Sequence, residues 1–170
     1  MSKFLKISLA VGIILIVYGF LCKVANIRFF WESSAFGWNL IFIGAILLLA
    51  QQIKKRKSVG KNTILMKIGI GVLVFILVIQ VILSIVVSNS NAYIAAKNYL
   101  LSNDSLKNEV GHIDGFGLIP SGGIAVSADS AGETGTAEIN LIIKGSKKFR
   151  EATVFLVKEK KTNWEVKAIE

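Results

Sequence analysis

The sequence predicts a membrane α-helical protein with three transmembrane helices, joined to a small α+β domain of one or two helices packed on an antiparallel sheet of four or five strands. Three observations carry this. Apolar residues crowd into the first 87 positions of the 170-residue chain, in three runs long enough to cross a bilayer. The positive charge crowds there too: residues 1–87 hold ten Lys and Arg against Glu32 alone, while residues 88–170 hold ten of each sign. Beyond Ser88 the chain reads as an ordinary polar globular sequence, and from His112 on its hydrophobic period is two, as in strands.

The chain is 53% hydrophobic, with a mean hydropathy of +0.61, too apolar for an ordinary water-soluble domain. The predicted membrane domain covers residues 1–88, with spans at about 4–22, 36–53 and 64–87. Backbone amides in hydrocarbon must be satisfied internally, so these runs are read as helices. The first follows Lys3 and Lys6, as a signal peptide would, but no A-x-A-like site follows it. Gly19-Phe20-Leu21 before Cys22 does not suit a lipoprotein signal either, so the first span is read as retained.

Cytoplasmic loops are enriched in Lys and Arg. Lys54, Lys55, Arg56, Lys57 and Lys61 connect the second and third spans with no acid among them, which places this loop inside. The N-terminus then lies in the cytoplasm and the C-terminal domain outside it, in a multi-pass protein of the bacterial cytoplasmic-membrane type. Phe29, Phe30, Trp31 and Trp38 fall where rings sit at headgroup level. Gly12 and Gly19, and Gly37 and Gly44, each recur seven apart and are expected to face each other in a hairpin of the first two spans.

The extracytoplasmic domain is assigned to residues 89–170. Ser88–Asn91 supply capping residues for a helix whose apolar face holds Ala92, Ala95, Ala96 and Tyr99, with Ile94 and Leu101 nearby. A second helix is expected at about 104–110, capped by Asp104 or Ser105 and closed by a left-handed Gly111. Strands are expected at 112–119, 123–128, 136–144, 152–158 and 164–169. In the third, Ala137, Ile139, Leu141 and Ile143 share one face; the fourth is apolar on both faces and reads as central. Turns are expected at Pro120–Gly123, Ala131–Gly135, Gly145–Lys148 and Lys160–Asn163. Short turns imply a meander.

No catalytic constellation emerges. His112 is the only histidine; with Asp114 it makes two ligands where zinc takes three or four. Cys22 is the only cysteine. Ser121 lacks the strand–turn–helix setting of a nucleophile elbow, and Lys144–Lys148 lacks phosphate-loop spacing. Gly115 and Gly117 suggest an irregular first strand. No enzymatic activity and no cofactor are expected. The C-terminal half carries no net charge, so nucleic acid is not an expected partner. Gln80 and Asn39 are too few to make an ion pathway, and Gln80 is expected to bond a neighbouring helix.

Tyr93 and Ala96, then Asn103, Val110-Gly111, Gly135-Thr136-Ala137-Glu138-Ile139, Lys144-Gly145-Ser146-Lys147 and Trp164 form a series. Over residues of about 90–170 this resembles the cytochrome c oxidase assembly factor family (factor one), whose soluble domain is akin to that of a presequence-translocase subunit of the mitochondrial inner membrane. The resemblance makes Gly111, Gly135, Lys144, Gly145 and Trp164 the structural motif. It implies a non-enzymatic assembly role beside a membrane anchor, of the respiratory-complex assembly type. The expected partners are the lipid bilayer and a membrane or extracytoplasmic protein. The alternatives are a small transporter or channel subunit, and an extracytoplasmic ligand-sensing module.

Overall fold

The computed structural model describes residues 3–130, 132–160 and 162–170. Its helices are α1 (Lys3–Val24), α2 (Ser33–Lys57), α3 (Ile64–Ser88), α4 (Asn91–Ser102) and α5 (Asp104–Val110), and its strands are β1 (Ile113–Phe116), β2 (Ser121–Asp129), β3 (Gly132–Gly145), β4 (Phe149–Lys158) and β5 (Trp164–Ile169). The chain forms two compact units: one of α1, α2 and α3 as far as Val81, the other of Ile82–Glu170 with Asn26–Arg28.

In the first unit, α1, α2 and α3 are long and apolar enough to cross a membrane, and the protein is membrane-embedded. The helices α1 and α2 overrun the predicted spans, because polar and basic residues extend them past the apolar runs. Hydrocarbon gives two apolar helices no reason to associate, so packing depends on close approach. Gly12 and Gly37 supply it: a Cβ on Gly37 would stand 2.6 Å from the Gly12 carbonyl oxygen and 2.9 Å from Ile16 N. One heptad along in each helix, Gly19 lies against Ser33 and Ser34, and Gly44 against Leu9 and Leu5. The four glycines therefore line one seam, but only Gly12 and Gly37 face each other; Gly19 and Gly44 meet serine and leucine side chains instead of each other. The third helix has no such seam: Gly71 meets nothing within 4 Å.

Phe29 meets the edge of Tyr18, Phe30 stacks on Phe36, and Trp38 leans on Phe42. Phe29 and Trp38 are exposed. Trp31 is instead buried.

In the second unit all strand pairs are antiparallel. The order is β1-β3-β4-β5, with β2 also on β3. The expected meander fails at its start. The segment Pro120–Gly123 is no turn: Ser121 already pairs with Asn140, and β1 and β2 run in one direction along the same side of β3. They are two pieces of one edge strand, interrupted at 117–120, where proline has no N–H for the ladder. Residues 132–135, expected in a turn, are likewise strand, because Asp129 faces Gly132 across a two-residue connection. Ala131 and Lys161, both placed in turns from sequence, lie outside the described residues. The β4–β5 connection is closed by Thr162, whose N–H and hydroxyl both donate to the Glu159 carbonyl.

The core lies between one sheet face and α4 with α5. Ala137, Ile139, Leu141 and Ile143 from β3 and Ala152, Val154 and Leu156 from β4 are buried, as their alternation requires. The helix face differs from expectation. Ala92, Tyr93, Ala96 and Leu100 are buried, whereas Tyr99, Ile94 and Leu101 are exposed, because the stripe follows the i, i+4 row. Ser90 caps α4, accepting from Tyr93 N at 3.1 Å. Asn103, not Asp104 or Ser105, caps α5 by accepting from Leu106 N at 3.0 Å. Lys97 Nζ sits 5.4 Å from the Tyr93 ring centre and 5.3 Å from that of Phe116, joining α4 to β1. Burial pushes the Tyr93 hydroxyl pKa up.

Glu109 ties α5 to the start of β4 through Lys148 Nζ at 2.7 Å and through Arg150. The hydrogen bond from Lys148, aided by the Arg150 charge, holds its carboxyl below the ordinary carboxylate range against a smaller opposing effect of burial.

Two outcomes follow from this packing. Gly37→Leu is expected to lower unfolding stability in detergent by about 2 kcal/mol through overpacking, while Gly71→Leu, in open space, leaves it unchanged; thermal unfolding of the purified chain reads both. A depressed folded pKa stabilises above the unfolded carboxylate value of about 4.3 and is lost as pH falls through the folded value. Glu109→Gln is therefore expected to destabilise the fold at neutral pH by no more than about 1 kcal/mol for so exposed a pair, seen as a lowered melting temperature, and to match the wild type once acid has protonated Glu109. A deficit that persisted in acid would assign the loss to packing instead.

Candidate functional site

The motif residues assemble in pairs at two ends of the sheet. Gly111 and Gly145 belong to one contact. A Cβ on Gly145 would stand 2.2 Å from the Val110 carbonyl oxygen, and one on Gly111 would stand 2.3 Å from Ser146 Oγ. Gly111 ends α5 at φ +83°, ψ −159°, a region open almost only to glycine, and not in the left-handed helical conformation expected from sequence. That geometry turns the chain onto the β3–β4 connection. Lys147 N donates to the Val110 carbonyl at 2.9 Å, Ser146 N to the His112 carbonyl at 2.8 Å, and His112 N to Ser146 Oγ at 3.0 Å. Lys144 pairs with Gly115 on one side and Phe149 on the other.

Gly135 and Trp164 form the second pair. A Cβ on Gly135 would come within 2.8 Å of the indole Cη2 and of the Ala125 carbonyl oxygen. The absent side chain lets the Trp164 ring close that end of the core. All five motif residues thus hold strands and turns together.

The chemical candidates stay apart. His112 and Asp114 are both exposed, one before β1 and one within it. Among the described residues no three His, Cys, Asp or Glu side chains gather as a metal set. Ser121 opens β2. Gln80 is exposed on α3, and its side chain makes no hydrogen bond to the described residues. Lys54, Lys55, Arg56, Lys57 and Lys61 are all exposed.

The unusual feature is β2. Among the described residues, its nine residues pair with β3 and with no other strand. From Ser121 to Ala128 it carries no charge and no proline, and Val126 is 52% exposed. Natural edge strands are commonly shortened, charged or broken to keep other chains from adding to them. The opposite edge follows that rule: β5 has six residues, including Glu165 and Lys167, which bridge at 3.1 Å.

Beside β2, the sheet face away from the helices is shallowly concave. Two hollows of about 620 Å³ and 560 Å³ share Ala125, Thr136 and Val157, with Phe155 lining the second. Lys158 pairs with Glu133 at 2.5 Å and Lys160 with Asp129 at 2.6 Å, and both lysines line the first hollow. The hydrogen bond from Lys158 and its charge depress the Glu133 carboxyl pKa. Sequence reading located these residues but took Ser121–Gly123 for a turn, so the full length of the bare edge was hidden. The run of eight uncharged small and apolar residues was the available signal.

Known protein families, curated proteins and solved structures were compared with this chain, and none of the three comparisons found a match.

Proposed function

We propose that the chain is a membrane-anchored, non-enzymatic protein-interaction factor whose soluble domain takes up an extended segment of a partner along β2. The observation that carries this is the uncharged edge from Ser121 to Ala128. An added strand gains main-chain hydrogen bonds along the edge, and alternate side chains supply specificity. The neighbouring hollow, floored by Ala125, Thr136, Phe155 and Val157, suits small or apolar side chains on that segment. The helix–sheet interface offers a small ligand less: Ala92, Ala96, Leu100, Val110, Ile139, Ile143 and Val154 fill it with no exposed surface.

The exposed Gln80 supports a second contact of the same kind inside the bilayer. A lone amide in hydrocarbon is satisfied by a helix of another chain more readily than by lipid. One Gln without an ionisable companion supports helix association over transport. The resemblance to oxidase assembly factors agrees with a binding role, and we extend it to an assembly task at the membrane. The basic connection between α2 and α3 supports a cytoplasmic loop, with the soluble domain on the other side of a bacterial membrane.

A photoreactive residue at Ala125 is expected to trap a protein in native membranes, and one at Lys167 on β5 is not. Ala125→Lys, which places a charge on the edge, should cut the capture of that protein about tenfold, equivalent to about 1.4 kcal/mol. Equal trapping from both edges, or none from Ala125, would remove the proposal; adducts only with a second copy would make the edge a self-association surface. For orientation, Ser130→Cys should react with an impermeant thiol reagent added outside intact cells, and Ser58→Cys should not. The reverse pattern would invert the topology.

A further inference from the structure

The five cations after the second span do more than bias insertion. Charge bias requires only that they lie in one loop; here the backbone gathers three of them around a hollow. The helix α2 has 25 residues, about 37 Å, against a hydrocarbon thickness of about 30 Å. Its last apolar residue is Ile53, after Gln51 and Gln52, and Lys54–Lys57 add one more turn beyond it.

The chain then folds back. Lys61 N donates to the Arg56 carbonyl at 3.0 Å, and Gly60, at φ +67°, allows the reversal. Lys55, Arg56 and Lys61, with Val59, line a hollow of about 260 Å³. A helix C-terminus ordinarily repels anions through its free carbonyls. Here the carbonyls of Lys54, Arg56 and Lys57 accept from Ser58, Val59, Lys61 and Gly60 N–H groups, and that of Lys55 accepts from the Ser58 hydroxyl at 2.7 Å. No acid occurs in the chain between Glu32 and Asp104, and Glu32 stands at the far end of α2, about 35 Å away. Apolar Val59, Ile64 and Leu65 are 70%, 60% and 85% exposed, next to the cations in sequence.

We infer that this turn is a binding site for the phosphate group of an anionic phospholipid. Arg56 supplies a planar fork for two phosphate oxygens, Lys55 and Lys61 supply point charges, and Val59, Ile64 and Leu65 meet the glycerol and upper acyl region. Lys54 and Lys57 lie outside the hollow and contribute only general attraction.

The purified full chain in neutral detergent, titrated with phosphatidylglycerol or phosphatidylcholine and read by native mass spectrometry, tests this. Phosphatidylglycerol should be retained in preference. At about fivefold per cation, Arg56→Gln with Lys61→Gln should weaken it about 25-fold, while Lys54→Gln with Lys57→Gln, an equal loss of charge, should cost less than about fivefold. Gly60→Val keeps every charge but strains the reversal, and it should weaken retention with helicity unchanged. Equal losses in the two double variants, an unaffected Gly60→Val, or equal retention of both lipids would overturn the site. So would displacement of the lipid by an equal concentration of inorganic phosphate, which would identify the free ion as the ligand.

Discussion

Hydrocarbon accepts no hydrogen bonds, and that constraint shapes the first unit. Each of α1, α2 and α3 closes its own backbone, leaving nothing but packing to hold one to another. The Gly12–Gly37 approach brings α1 against α2 more closely than side chains allow. In α3, Gly69 comes near the Leu49 methyl, and most of its Ile, Leu and Val side chains are exposed, with Val87 at its end the buried exception. In the second unit water reverses the rule. There apolar side chains drive assembly, and α4 covers one sheet face with residues chosen for small size, Ala92 and Ala96, beside the larger Tyr93 and Leu100.

Patterns within one element were legible from the chain. Three apolar runs marked the three helices; alternation marked the inward face of β3; and the limits of β5 were read to the residue. What escaped were choices made by neighbours in space. Ser121-Gly122-Gly123 reads as a turn until β3 offers it a ladder, and Gly122, whose Cβ would stand 1.9 Å from the Glu138 carbonyl oxygen, is there for that approach. Tyr99 and Leu100 are both apolar enough for a core, and only the direction in which α4 crosses the sheet selects Leu100. Gly111 announced a helix end, but its conformation is set by the turn at Ser146–Lys148, distant in sequence. The five motif residues were found without their partners, because a glycine records the absence of a side chain and not what fills the space.

The two proposed binding surfaces rest on opposite physics. The edge of β2 offers uncharged main chain, whose hydrogen-bonding groups reward any strand that fits. The turn after α2 offers concentrated charge, whose pull extends roughly a Debye length and weakens with salt. Geometry narrows each of them: the edge by the hollow around Ala125 and Val157, the turn by the reversal at Gly60.

Counting parity along the β1–β2 edge shows how it tolerates its own irregularity. From Phe116 to Ser121 the edge advances five residues while β3 advances three, from Ile143 to Asn140. The surplus is even, so inward positions stay inward across the Pro120 interruption. Between Ile113 and Gly115 the surplus is one, and it inverts the alternation. Ile113 and Phe116, three apart, can therefore both meet the core. A lineage could lose residues from the 117–120 segment in twos and keep β1 right way round, whereas losing a single one would turn Ile113 out into solvent.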